Sequence, residues 1–465
     1  MNTKHHLITC LSAVALTACV AIGVASAGAE TYSLTDLGIL PGKKENASTA
    51  AAINDSGQVA GTSAGTAFRY TRERKISMED VGKNPYGITR GFGLSSSGQV
   101  VGDSTFGAKG SISRAALFGN GAAKDLGTLK GWIFSRANGI NASGQVVGFA
   151  GQTLDSDHGR AFLVETTGKS NSLIDLGTLG GDYAQAWGIN DSGYVTGHAQ
   201  PFGINQPAHA FIWHLNMGMV DLGTLAGDFS YGTFINANNH VVGYSTIDKN
   251  NDRVHAFLHD GKDMLDLGSL GGASMDSDNS YALGVNSSDQ VVGYSYTPVS
   301  QDAGLGLEPP IQQVAFLYRQ GVMVDLNNLI GGAAKEYRLY SATAINDKGQ
   351  IAAIAYVNAA GDYHAVVLTP IVDIAPTPVM EITSATYTAR QTLLTVKATY
   401  GAVNSGLTPP TLTVYGKVSG QAIGVLFTKG TGGYFGSFVV KSNPKEITVM
   451  SSDGGRKDAF VEEMP

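Results

Sequence analysis

Short apolar and polar runs alternate along most of this chain, and they recur in a fixed order. In the cleanest copy, His255-Ala256-Phe257-Leu258-His259 reads as one strand and Lys262 to Leu267 as the next. Asp260-Gly261 between them predicts a type I′ hairpin, because that turn needs positive φ at both central residues. Tyr281 to Val285 and Gln290 to Tyr294 form two more strands, joined by a turn at Asn286 to Asp289. Each repeat therefore predicts four short antiparallel strands. The Asp-Leu-Gly aspartates that mark the copies are Asp36, Asp125, Asp175, Asp221, Asp266 and Asp325, with Asp80 of Asp-Val-Gly as a looser member. Their successive spacings are 44, 45, 50, 46, 45 and 59 residues, a period that marks stacked supersecondary units.

Turn chemistry follows backbone need. The fourth residue of the turns at 54–57, 95–98, 141–144, 190–193 and 346–349 is Gly, as a type I turn closing on a left-handed residue requires. The two remaining copies carry Asn239 and Asp289, the types that best tolerate positive φ after Gly. A two-residue Asp260-Gly261 turn sets His255 directly opposite Asp266, and Arg114 and Asp125 have the same spacing. Arg160 with Asp175 and His209 with Asp221 fit around longer loops. These pairs predict a recurring cross-strand latch of cation or imidazole against carboxylate, which Val314 opposite Asp325 breaks.

The chain enters the array at Tyr32 to Asp36, which matches the second strand of a copy. It leaves at His364 to Leu368, which matches the first. That phase shift lets the last strand complete the first sheet and pairs His364 with Asp36, closing the ends that an open row would expose. The expected fold is all-β: a seven-bladed β-propeller over residues 31–370, with four-stranded blades closed by strands from both ends of the array. An open β-solenoid is the alternative. Pro370, Pro376 and Pro378 mark a linker, taken as 371–379. Alternating runs at 381–388, 393–400, 411–415, 425–428, 435–440 and 446–451 then predict an immunoglobulin-like or fibronectin-like β-sandwich over 380–465, without a Cys-Trp-Cys pattern. A spacer role suits that module.

Composition narrows the function class. Lys4 precedes an apolar run from Leu7 to Val24, and Ala25-Ser26-Ala27 supplies small residues for cleavage, so 1–27 reads as a signal peptide. Leu16-Thr17-Ala18-Cys19 also resembles a lipobox, which would anchor a lipoprotein at Cys19. Cys10 and Cys19 are the only cysteines, so the exported chain is stabilised by core burial rather than disulfides. Net charge is -7 with no basic run, which argues against nucleic acid as a partner and against an anionic membrane surface. No other segment resembles a membrane span.

Phrases such as HAFLHDGKDMLDLGSLGG and INASGQVVGFA resemble the HAF-type extracellular repeat of secreted bacterial proteins. The likeness covers Tyr32 to Pro370, with the copy from Asp80 to Phe118 departing most. It implies an exported repeat protein and carries no catalytic residues with it.

Candidate chemistry is sparse. Asp248, Asn250 and Asp252 have the alternating oxygen ligands of a calcium loop, but Arg253 and His259 stand where that loop needs Gly and Glu. A solvated turn competes, and no cofactor is expected beyond that calcium candidate. The recurring aspartates and His209, His255 and His364 read as latches rather than as a carboxylate ring or metal ligands. No catalytic residue is assigned.

Asymmetry is more informative. Insertions at 200–207 and 296–313 lie in equivalent loops and carry Phe202, Tyr296, Leu305 and Leu307. The loops expected at the opposite end hold Trp132, Phe134, Tyr183, Phe229 and Tyr231, which suit either sugar stacking or packing between blades. The reading is an exported, monomeric, non-enzymatic binding or scaffold protein for a protein or glycan ligand. A propeller enzyme acting on extracellular polysaccharide and a purely structural array are the alternatives.

Overall fold

The computed structural model describes residues 31–371 except 44–46, 73–76, 85–86, 107–111, 120, 154–157, 168–171, 204–205, 272–277 and 299–310. Of the C-terminal part it describes 381–388, 393–399, 412–416, 422–428, 433–440, 444–451 and 456–464. The expected signal peptide, the lipobox cysteine Cys19, and Pro376 and Pro378 of the expected linker lie outside the described residues. Two compact units emerge, one of them spanning Glu30–Ile371.

Within that unit the four-strand order repeats in space as it does in sequence. The first sheet runs Ser48–Ile53, Val59–Ser63, Thr66–Thr71 and Ser77–Asp80, each strand paired with the next. Equivalent sheets start at the strands Thr89–Leu94, Phe134–Ile140, Gly180–Ile189, Ser230–Ile235 and Ser280–Val285. The final sheet is Tyr337–Ile345, Ile351–Val357 and Asp362–Ile371, completed by Thr31–Asp36 from the start of the array. Pro370, which the sequence places at the start of a linker, instead pairs with Tyr32 inside that last sheet. Pairing of Asp362–Ile371 with Ile351–Val357 ends at Leu368, so beyond it that side of the strand is an edge where a missing N–H is tolerated.

Successive first strands pack on one another, and Ser48–Ile53 packs on the final sheet. One core cluster joins Ala50, Val59 and Phe68 of the first sheet to Ala344, Ala352, Ala365 and Val367 of the last. The molecule is all-β, and this array of radially packed sheets is a β-propeller. Phe68, Phe162, Phe211, Phe257 and Phe316, the aromatics of the His-Ala-Phe-like strands, are fully buried. Each such burial contributes roughly 1.5–3 kcal/mol.

Two local devices bring the first strands together. Every one carries a β-bulge, as between Ala282 and Gly284 or Gly232 and Phe234. The bulge drives a carbonyl at the facing strand, so a Cβ at Gly293 would strike the Tyr281 oxygen and one at Gly243 the Tyr231 oxygen. This is why Gly ends the Gln-Val-Val-Gly phrase. The last sheet has Ala353 at that place and carries a second bulge, between Leu339 and Ser341.

The second device is a belt of asparagines in the turns that follow the first strands. Asn141 Nδ2 donates to the Asn190 carbonyl at 3.1 Å, Asn190 to Asn236 at 2.9 Å and Asn236 to Asn286 at 3.0 Å. Asn286 donates to Asn346 at 3.2 Å, Asn346 to Asn54 at 2.9 Å and Asn54 to Ser95 at 3.0 Å. Each Oδ1 meanwhile accepts from its own turn, as Asn190 does from Ser192 N and Tyr194 N. Ser95 supplies no amide, and there the belt stops. The turn residues Gly57, Gly98, Gly144, Gly193 and Gly349 all have positive φ, as do Asn239 (65°) and Asp289 (57°).

The C-terminal unit is a separate all-β body. Its strands order as Arg456–Phe460, Glu446–Ser451, Leu412–Gly416, Ala422–Thr428, Gly433–Val439, Leu393–Thr399, Glu381–Thr388 and Glu462–Met464. Leu394, Val396, Val414, Leu426, Ile447 and Val449 form its core. The last two strands, past the runs recognised in the sequence, add an antiparallel pair to Glu446–Ser451 and a parallel pair to Glu381–Thr388.

Candidate functional site

The recurring aspartates do one job in every copy. Asp36, Asp80, Asp125, Asp175, Asp221 and Asp266 each accept the backbone N–H of the glycine two residues on, at 2.7–2.9 Å. Asp325 accepts from Asn327 in the same way. The register corrects the sequence expectation. Asp266 stands opposite Phe257, Asp125 opposite Ala116 and Asp36 opposite Val366, each two residues from the partner expected. At Asp266 the Asp260-Gly261 loop is the cause. Asp260 Oδ1 accepts from Lys262 N and Asp263 N, and only Gly261 has positive φ, so four residues turn the chain rather than two.

A shift of two keeps side chains on one face, so the latch pairs meet diagonally. His255 Nδ1 lies 2.8 Å from Asp266 Oδ1, His209 Nδ1 2.8 Å from Asp221 Oδ2 and His364 Nδ1 2.9 Å from Asp36 Oδ2. Arg114 reaches Asp125 at 3.2 Å and Arg160 reaches Asp175 at 3.8 Å.

His255 carries a second partner that the repeat does not announce. Its Nε2 lies 2.9 Å from Asp278 Oδ1, and Asp278 also accepts from Ser269 at 2.7 Å and from Arg253 at 3.1 Å. Burial opposes the charged imidazole, but hydrogen bonds to Asp266 and Asp278 outweigh it and hold the pKa above the ordinary histidine value. With both ring nitrogens engaged, this histidine offers no lone pair for proton abstraction. Arg253 also bonds Asp248 at 3.0 Å, so the carboxylate of the calcium candidate faces a guanidinium. Asn250 and Asp252 flank it in the same turn, where Asp252 N donates to Asp248. Among the described residues no group of three or more His, Cys, Asp or Glu side chains is placed to hold a metal.

The two loop sets expected at opposite ends lie side by side. Leu179 bridges Pro201, Gln152 donates to the Gly131 carbonyl, and Asp228 N donates to Asn251 Oδ1 at 2.9 Å. Antiparallel pairing dictates this, since the second strand of each sheet ends beside the start of the first. Phe202, at 85% exposure, therefore shares one end of the ring with Ile133 and Ile88 at 55% and 59%. Those two isoleucines were not singled out in the sequence because no period marks them. Leu305 and Leu307 fall outside the described residues. Trp132 packs against a core cluster and Phe229 meets Tyr231 edge-on at 5.6 Å.

Below these loops the repeat is broken by a continuous row of rings. Centroids step from Phe149 to Tyr183 at 5.6 Å, His198 at 5.5 Å, Tyr231 at 4.1 Å and Tyr244 at 5.1 Å. The row continues to Tyr281 at 4.9 Å and Tyr294 at 4.7 Å, and Tyr296 stands 6.1 Å from Tyr294. From Phe149 to Tyr294 the steps alternate between the second strand of one sheet and the first strand of the next, so these aromatics pack the sheets together. Burial, aided by Arg136, lowers the His198 pKa to about 3, and Trp187 Nε1 donates to its Nδ1 at 3.2 Å. Burial pushes the Tyr183 hydroxyl up to about 12 and raises Tyr231, Tyr244, Tyr281 and Tyr294 as well. On the neighbouring sheets Arg90 pairs with buried Asp103 at 2.6 Å, and Arg136 stacks between Phe92 and Trp187.

A family model described as a protein of unknown function (DUF3466) matches residues 183–384. No curated protein matches the chain. Among solved structures, a putative TolB from Agrobacterium tumefaciens is 12% identical with a TM-score of 0.36, covering 74% of this chain and 100% of its own. The β-propeller domain of the Trilobed protease from Pyrococcus furiosus is 9% identical with a TM-score of 0.42, covering 71% of this chain and 99% of its own.

Proposed function

We propose that this is an exported, non-enzymatic binding or scaffold protein of the HAF-repeat type, which recognises a protein or glycan at the loop-bearing end of a seven-bladed propeller. The C-terminal unit is then an immunoglobulin-like or fibronectin-like spacer. The observation that carries the reading is the gathering of both loop sets at one end, with Phe202, Ile133 and Ile88 exposed there. Rigid scaffolds bearing long loops at one end commonly place recognition there. At His255 both ring nitrogens are engaged by carboxylates, which favours a structural role for that histidine over proton transfer.

Titration of the exported chain against cell-wall glycans, capsular glycans and envelope protein extracts tests this, with reducing-end release followed in parallel. Saturable binding without product is expected. Product formation abolished by replacing one acidic residue would assign an enzyme instead, and absence of any binding would leave a structural array.

A further inference from the structure

We infer that the tyrosine row of the fifth and sixth sheets, Tyr231, Tyr244, Tyr281, Tyr294 and Tyr296, is a binding site for a neutral glycan strand. This rests on the binding reading above and narrows it to one class of ligand. The rings spend their faces on each other, with Tyr231–Tyr244 and Tyr281–Tyr294 both stacked at 17°. What remains for a ligand is ring edges and hydroxyls. Among the described residues none of these five hydroxyls has a hydrogen-bond partner, and the five side chains are half-buried rather than enclosed. Two other tyrosines of the array are satisfied internally, Tyr183 by Gln185 at 2.8 Å and Tyr337 by Asp36, whereas Tyr32 is buried without a partner.

At the fourth-sheet end of the row, the Gln185 side chain is buried with its Nε2 unpartnered. A buried amide donor without a partner marks a place where a ligand or water oxygen completes the set. A phenolic hydroxyl both donates and accepts, as a sugar hydroxyl does, so successive tyrosines can each exchange hydrogen bonds with a polyol. An apolar peptide would need open ring faces or a pocket, and the mutual stacking removes the faces.

Charge completes the selection. Burial keeps the four stacked tyrosines protonated and His198 neutral, so the row carries no charge across the physiological range. Arg136 bears on the row only at its Tyr183 and His198 end, so along Tyr231 to Tyr296 a uronate or sulfated chain meets no counter-charge among the described residues, whereas a neutral chain loses nothing there.

The test uses the full exported chain with dextran, laminarin and galactomannan as neutral probes and with alginate and hyaluronan as acidic ones. Binding is read by affinity electrophoresis and calorimetry. At least one neutral polymer is expected to bind, the acidic ones at least tenfold more weakly. The Tyr244→Phe/Tyr281→Phe/Tyr294→Phe variant keeps the ring stack and removes hydroxyls alone, and it should lose at least tenfold in affinity. Tyr281→Phe alone, with its unfolding midpoint checked, guards against a folding defect in the triple variant. A preference for the acidic polymers would overturn the inference. So would neutral binding that survives loss of the hydroxyls but fails in Phe202→Ala, which leaves loop-mediated binding intact as a function. Binding of envelope proteins with no glycan bound also overturns the inference alone, whereas failure to bind any probe or extract removes both readings.

Discussion

At the scale of single residues, recurrence and chemistry turn out to be separate questions. The asparagine of the Ile-Asn phrase looks like a turn former, and its Oδ1 does serve its own turn. Its Nδ2 does something a single copy cannot reveal, because it donates to the carbonyl of the next sheet. A hydrogen bond between sheets is invisible in sequence until the neighbours' positions are known. The exception makes this testable. Ser95 already accepts the Gln99 N–H through Oγ, as the asparagines do through Oδ1, but it has no amide to offer the Asn141 carbonyl. Ser95→Asn should supply that missing bond and raise stability by about 0.5–1.5 kcal/mol. Urea unfolding with an unchanged m-value and a higher midpoint is the expected result. A lower midpoint would mean that the belt does not tolerate a further member.

At the scale of the element, strand identity, turn positions and the facing parity of the latches were legible, because alternation and glycine placement depend only on local backbone need. Register was not. Asp260-Gly261 looks like a two-residue turn, and nothing in the local sequence states that Lys262 and Asp263 join the loop. A register off by two preserves which face a residue occupies, so the latch pairs meet although the opposed residues were misassigned. The aromatic row was half legible. Tyr183, Tyr231 and Tyr296 stood out, but Tyr244 and Tyr294 were hidden in the residue after Val-Val-Gly, where their copies carry Phe149 and His198.

The latch at His255 gives this scale its prediction. Its folded pKa is raised, so its contribution is complete below about pH 6.5 and is lost as pH rises through the folded value. Burial disfavours ionised Asp266 and Asp278, yet their hydrogen bonds hold both below the usual carboxylate value. Their contribution is therefore complete above about pH 4 and fades as pH falls through the lowered values. The unfolding midpoint of the parent chain should decline between pH 6 and 8.5, and His255→Asn should flatten that decline. His209, raised chiefly by its hydrogen bond to Asp221, keeps a residual slope in the variant. An identical slope in both proteins would show that His255 is not held as the imidazolium.

At the scale of the whole molecule, the decisive contact joins the two ends of the array. Thr31–Asp36 pairs along its full length with Asp362–Ile371, and Ser33 stands opposite Thr369. The sequence shows this as a phase difference between entry and exit, which makes the closure legible in the repeat itself. It also concentrates risk, because a single outer strand holds together residues separated by 336 positions. If closure limits stability, a covalent link there should be felt by every sheet. The array beyond residue 27 has no cysteine of its own, so Ser33→Cys with Thr369→Cys creates one defined pair. Directly opposed antiparallel residues have Cα atoms within disulfide reach. The oxidised variant should gain about 2–4 kcal/mol over its reduced form, through the lost freedom of a very long unfolded loop. The gain should appear in the midpoint reported by the tyrosine row, whose rings lie in the fourth to sixth sheets outside the linked sheet. A midpoint there that ignores oxidation would mean that the sheets unfold independently, and that the ring is a geometric closure without a cooperative one.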